Sequence, residues 1–202
     1  VGAEGGGLRY QWFKDGQEIP STTRNLVDAD SQRRVLVPQA PIDDTWRSAV
    51  DFDDSSWLSG VGGVGYERSS ANTYDPFLNI DVEADTFQGN TSALIRIPFE
   101  LTESEFKNAN HLKLRVPYDD GYAAFLNGAG VSEANAPTTL AWNSEMTAGH
   151  ADELAVEFVD IDLARYVSEL RVAINLFAIQ VQIFCWLARK HSLVQKLYRL
   201  PQ

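Results

Sequence analysis

Residues 112–128, LKLRVPYDDGYAAFLNG, constrain the fold of this chain more than any other stretch. Leu112, Leu114, Val116 and Tyr118 alternate with Lys113, Arg115 and Pro117, the period-2 pattern of a strand with one buried face. Asp119, Asp120 and Gly121 then supply turn chemistry, because Asp bonds its own backbone and Gly accepts positive φ without steric cost. The segment from Tyr122 to Leu126 is apolar at every position, as in a strand covered on both faces, and Asn127-Gly128 is the strongest short hairpin signal a sequence can carry. The expected fold class is all-β and antiparallel.

The chain has 202 residues, room for one sizeable core. With 28 acidic against 17 basic side chains the net charge is -11, which argues against a nucleic-acid partner, since neutralising phosphates takes a concentrated basic face. A single cysteine, Cys185, excludes an intrachain disulfide and a thiolate metal cluster. The most apolar run, 172–188, is interrupted by Asn175, Gln180 and Gln182 and falls short of the roughly 20 apolar residues of a membrane helix. No signal peptide opens the sequence, so an export signal would lie upstream of this segment.

Elsewhere Ala93, Ile95, Ile97 and Phe99 alternate with Leu94, Arg96 and Pro98 in a clear strand, which Pro98 places at an edge or an end. Thr102 to Phe106 carries a Thr cap and early acidic residues, the start of one helical turn. Residues 66–90 are polar and predict a long surface loop with at most one short strand. Val156, Phe158, Val159 and Ile161 switch faces, as a bulged or interrupted strand would, and 162–170 suits a short helix. The span 171–181 is the last strong strand, and 185–202 carries four basic residues and no acid. That tail is either an atypical, non-native terminus or a basic amphipathic helix on the acidic body.

The combination of Asp119-Asp120-Gly121, a short apolar strand and Leu126-Asn127-Gly128, preceded by 51–57 (DFDDSSW) and 62–66 (GGVGY), resembles the galactose-binding-like β-sandwich (jelly-roll) modules, which implies an antiparallel β-sandwich of jelly-roll type with short helical turns. Residues 10–20 resemble part of a bacterial immunoglobulin-like repeat, with Trp12 in the core position. The resulting division is a repeat remnant or linker over 1–34, the sandwich over 35–184 and the basic tail over 185–202. Residue 174 is Ile just before Asn175, where the resembling modules usually carry Gly.

Candidate chemistry is sparse. Gly60 to Gly65 matches G-x-G-x-x-G by letter, but a dinucleotide site needs a strand before and a helix after it, so a turn is expected. Asp119 and Asp120, and separately Asp51, Asp53 and Asp54, are candidate calcium ligands because carboxylate and carbonyl oxygens suit that ion. For the first pair a turn role competes. The second set does not complete a twelve-residue calcium loop, since Ser56 and Gly62 stand at its sixth and twelfth positions. His111, His150 and His191 have no zinc-ligand spacing, and no nucleophile elbow or triad stands out. No catalytic residues are expected.

Carbohydrate binding needs an exposed aromatic face beside hydrogen-bonding side chains. Tyr66, Tyr74, Asn135, Trp142 and Asn143 are the loop candidates, each able to serve instead as a core or anchoring residue; Trp46 and Trp57 suit the core. The resemblance implies a non-catalytic carbohydrate-binding module of a larger extracellular or cell-surface bacterial protein, with calcium as a structural ion. A structural or adhesive spacer is the alternative, which predicts buried Trp142, Tyr66 and Tyr74. An accessory piece of a secreted glycoside hydrolase is the third.

Overall fold

The computed structural model describes residues 15, 24–68, 77–87, 89–151 and 154–182, and only the backbone of 13–14, 17–18 and 196–199. Its strands are β1 (Phe13–Lys14), β2 (Gln17–Glu18), β3 (Arg24–Val27), β4 (Arg33–Leu36), β5 (Leu58–Gly60), β6 (Gly63–Gly65) and β7 (Leu78–Asp81). They continue through β8 (Ser92–Leu101), β9 (Leu112–Val116), β10 (Gly121–Leu126), β11 (Ala129–Ala134), β12 (Val159–Asp162), β13 (Ala173–Gln182) and β14 (Lys196–Arg199). Two short helices, α1 (Glu83–Thr86) and α2 (Glu103–Lys107), and 3-10 turns at Asp44–Arg47 and Ala164–Glu169 complete the described elements.

A six-stranded sheet in the order β11-β10-β13-β8-β4-β5 faces a four-stranded sheet ordered β12-β9-β14-β3. Among the described residues every ladder is antiparallel except the small β6–β7 pair. The antiparallel all-β sandwich with short helical turns is therefore the observed fold. Strand pairing carries it upstream of the expected boundary at residue 35, which falls inside β4, because β3 and β4 join one sheet each. Of the tail, only the backbone of 196–199 is described, and it forms a strand between β9 and β3 rather than a helix.

The alternation along each strand explains the layers. Tyr122, Ala124 and Leu126 of β10, Phe177, Ile179 and Val181 of β13, and Ile95, Ile97 and Phe99 of β8 point into the main core between the sheets. Their neighbours Ala123, Phe125, Leu176, Ala178 and Leu94 form a second core with Trp46 and Trp57 on the opposite face. The large sheet is thus covered on both sides, by the small sheet inside and by segments 36–57 and 136–144 outside. This is why β10 lacks a polar face, and both tryptophans are buried as expected.

Pro98 sits in a central strand, not at an edge, yet costs no ladder bond. Leu176, its partner on β13, spends both backbone groups on Asn127 across β10, so the Pro98 nitrogen faces the β4 side. There the described pairing of β4 runs only from Leu36↔Leu94 to Arg34↔Arg96, so an absent N–H is tolerated. At the β10–β11 turn Asn127 and Gly128 have φ of 50° and 94°, the left-handed pair a two-residue hairpin requires. A Cβ on Gly128 would also lie only 2.7 Å from the Ser48 Cβ.

The expected helical turn is α2, closed by a full capping box. Thr102 Oγ1 accepts from the Glu105 amide at 3.2 Å, and Glu105 Oε2 accepts from the Thr102 amide at 2.8 Å. The Thr102 amide and hydroxyl, and then Arg24, hold the Glu105 carboxyl at about 2, below its ordinary 4.5. A lowered folded pKa means the stabilisation is present above pH 4.5 and is lost as pH falls toward 2. Thr102→Ala should cost about 1 kcal/mol in urea unfolding at pH 7. Glu105→Gln should be measurably less stable than the parent at pH 6, with the gap closing near pH 2.5.

The described part of segment 66–90 from residue 77 onward forms β7 and α1 and buries Ile80, Val82 and Thr86. The segment at 154–159 departs from the alternation for a local reason. Backbone bonds from Leu154 N to Ala151 O and from Glu157 N to Leu154 O fold it into turns. Strand β12 starts only at Val159, and Leu154, Val156 and Phe158 stay exposed.

Candidate functional site

Trp142 lies on the loop between β11 and β12, and three sets of hydrogen bonds fix that loop onto the large sheet. Ser92 Oγ donates to Ser144 O at 2.7 Å, Thr91 Oγ1 donates to Asn143 O at 3.0 Å, and Gln180 Nε2 donates to Ala141 O at 2.6 Å. Ser144 Oγ accepts from the Ala141 amide at 2.8 Å, which tightens the turn carrying the indole. Trp142 is half-buried and Asn143 exposed.

Beside it is a hollow of about 220 Å³, lined by Trp142, Leu140, Gln180 and, from the facing segment, Ile42, Asp44, Trp46 and Arg47. Asp43 caps the Asp44–Arg47 turn by accepting from the Thr45 amide at 2.8 Å, and the Thr45 hydroxyl, together with that amide, holds its carboxyl below the usual range. The turn projects Asp44 and Arg47 on the same side, where they pair at 2.8 Å. An aromatic side chain, an ion pair and an amide thus surround a small open hollow, the mixture that sugar rings and their hydroxyls require.

The segment carrying Trp46 and Arg47 is held from beneath by Arg96. This guanidinium, 3% exposed, points from β8 out of the main core, donates to Asp54 Oδ2 at 2.7 Å, and also binds the carbonyls of Trp46, Ala49 and Val50. In the sequence Arg96 has only the signature of a wet-face residue. A charge opposite two apolar neighbours on a strand covered on both sides was the available signal, and it needed knowledge of the outer cover.

The remaining candidates do not gather around Trp142. Tyr66, 4% exposed, packs edge-to-face on Phe87 at 6.5 Å within the main core, so its ring is not an open platform. Asn135 adopts φ 50° and turns its Nδ2 to Asp120 O at 2.7 Å, while its own carbonyl accepts from Thr147 at 2.7 Å; it anchors the loop. Tyr74 lies outside the described residues, as do Trp12, Cys185 and His191. The G-x-G-x-x-G segment is a strand, turn and strand, the described residues that follow it, 66–68, form no helix, and Gly62 at φ 83° abuts Asn79.

The calcium candidates are largely committed elsewhere. Asp54 belongs to Arg96 and, at 3.7 Å, to Arg34. Asp53 accepts from the hydroxyl and amide of Ser55, which keep its carboxyl below the usual range, and Asp51 is exposed. Asp119 and Asp120 are buried at the mouth of β10, where Asp120 has φ 60°. Calcium takes six to eight oxygens, and no cluster of three acidic, histidine or cysteine side chains suited to a metal forms among the described residues.

No protein-family model matches the chain, and no curated protein sequence does. Among solved structures it is similar to a glycosyl hydrolase family 2 member from Bacteroides cellulosilyticus, at 11% identity and a TM-score of 0.49 over 88% of this chain and 20% of that one. It is also similar to a β-glucuronidase of an uncultured Clostridium sp., at 9% identity and a TM-score of 0.47 over 96% of this chain and 31% of that one. Bacteroides uniformis β-glucuronidase 2 gives 14%, 0.46, 88% and 18% for the same quantities. The chain spans less than a third of each of these proteins. No helix among the described residues is long and apolar enough to cross a membrane.

Proposed function

We propose that this chain is a non-catalytic carbohydrate-binding module of a larger extracellular or surface protein. The observation that supports it most is the hollow at Trp142, where a half-buried indole, the Asp44–Arg47 pair and Gln180 meet above the large sheet. The indole stacks on the apolar face of a sugar, while Asp44 accepts from its hydroxyls and Arg47 donates to them. Binding here needs no group to change its protonation state or to form a covalent bond.

The test is a glycan-array screen of the purified chain followed by calorimetry. Trp142→Ala should weaken binding of any hit at least tenfold with the melting curve intact; a hit that Trp142→Ala leaves unchanged would move the site elsewhere. Calcium at Asp119 and Asp120 is a separate proposal, checked by repeating the titration and the melt in chelator.

A structural or adhesive spacer is the second reading. It is favoured by burial of Tyr66 and by the exposed strip of Leu154, Val156, Phe158 and Val159, each 39–43% accessible. An accessory place beside a glycoside hydrolase catalytic domain is compatible with either reading, and silence across the array would favour the spacer.

A further inference from the structure

A second hollow, of about 310 Å³, lies beside the first and shares Leu140 with it. Its lining includes Ala123, Phe125, Gly130, Glu133, Arg165 and Tyr166. The two are neighbours through the sheet itself: Gln180, in the first, and Ala123, in the second, are directly opposed partners on β13 and β10. Arg47, from the first hollow, places its guanidinium 4.9 Å from the centre of the Phe125 ring in the second. Strands lie about 4.8 Å apart, which is close to the advance of one sugar ring along an extended chain.

The second hollow has its own recognition chemistry. Arg165 is exposed, lies 4.7 Å from the centre of the Tyr166 ring and donates to its hydroxyl at 2.7 Å, so the guanidinium is held as an oriented fork of donors. Glu133 supplies an acceptor nearby. Between Ala124 and Phe125 the β10–β11 register shifts, leaving Val131 as an extra residue, and such a bulge bends an edge strand and frees backbone groups. Strand β11 ends the sheet order, and its residues Gly130 to Glu133 line the hollow.

We infer that the ligand runs from the Trp142 hollow across Leu140 into the Arg165 hollow, making this a module for an oligosaccharide of at least two units rather than a single terminal sugar. The inference rests on the carbohydrate reading above. One sugar occupies the hollow at Trp142, and the next meets Arg165, Glu133 and the bulged edge of β11.

The test is calorimetry of the full chain with ladders of one to four units of β-1,4-linked glucose, xylose, mannose and galactose. For the ladder that binds, affinity should rise at least tenfold from one unit to three. Arg165→Ala should remove most of that gain. Gly130→Leu, which fills the second hollow from a position where a Cβ would sit an ordinary 3.9 Å from the Phe125 ring, should do the same. Equal affinity for one unit and three would overturn the extension while leaving the Trp142 site standing. A length gain that survives both substitutions, in variants whose melts match the parent, would overturn its placement. Absence of binding by every ladder and every array glycan would overturn the inference and the carbohydrate reading together.

Discussion

Arg96→Ala should destabilise the protein by about 3–5 kcal/mol, because it removes a buried guanidinium that serves a partly exposed carboxylate and three backbone carbonyls at once. For a chain of this length that is a fall in melting temperature of roughly 6–20 °C. The magnitude follows from what is left behind. Asp54 loses its closest cation, and the carbonyls of Trp46, Ala49 and Val50 lose a donor that no water replaces easily beneath the loop. Arg96→Lys should recover little, because an ammonium cannot reach four acceptors spread around a planar fork. Asp54→Asn should cost less than Arg96→Ala, since three carbonyl contacts survive it. Differential scanning calorimetry of the three variants checks the order, and a loss under 1 kcal/mol for Arg96→Ala would refute the clamp.

The second large effect is expected at Asn175, which is fully buried at the start of β13. Its Oδ1 accepts from the Arg171 amide at 2.8 Å and from Asn127 Nδ2 at 2.9 Å; its Nδ2 donates to Arg171 O at 2.8 Å and Ala173 O at 3.2 Å. Asn127 in turn accepts from the Leu176 amide at 2.8 Å and donates to Glu169 O at 2.7 Å. Two side-chain amides thus tie the 3-10 turn at Ala164–Glu169, the entry to β13 and the β10–β11 hairpin into one knot. Asn175→Ala leaves several buried groups unpaired at about 1–3 kcal/mol each, and a total of about 3–4 kcal/mol is expected.

Asn175→Asp separates hydrogen bonding from packing. The carboxylate keeps the two accepted bonds but faces the carbonyls of Arg171 and Ala173 without a donor. Its folded pKa should therefore lie above the unfolded value of about 3.9. Such a variant is penalised most at neutral pH and regains stability as pH falls toward that unfolded value. Urea titrations at pH 7 and pH 4.5 give the sign directly.

These two residues show where the sequence was legible and where it was not. The strands β8, β9, β10 and β13 could be read because burial imposes a period of two, and the Asn127-Gly128 turn because few residues accept positive φ. The capping box at Thr102 and Glu105 is equally local. Arg96 owes its role to Asp54 and the Trp46 carbonyl, 42 and 50 residues away, and Asn175 joins its own local turn to Asn127, 48 residues away; no periodicity encodes such partners. The same holds for the hollow. Trp142 was visible as a loop aromatic, but Asp44, Arg47 and Gln180 reach it only because segments 36–57 and 136–144 cover the same sheet face. Tyr66 and Asn135 had the right chemistry on the wrong surfaces, since a loop aromatic and a core anchor have the same local pattern.

The double cover on the large sheet also bears on how freely the surface around Trp142 can vary. The segments that present Trp142 and Arg47 are the ones that keep Leu94, Leu176 and Ala178 dry, so the shape of the hollow and the cover of the sheet are written in the same few residues. A substitution that retunes the hollow by shifting either segment exposes the sheet beneath and spends part of a stability margin that is small in any domain. Diversification at this site is therefore confined to outward-pointing positions such as Asp44, Asn143 and Arg165, whose side chains can be exchanged while the backbone that carries them stays put.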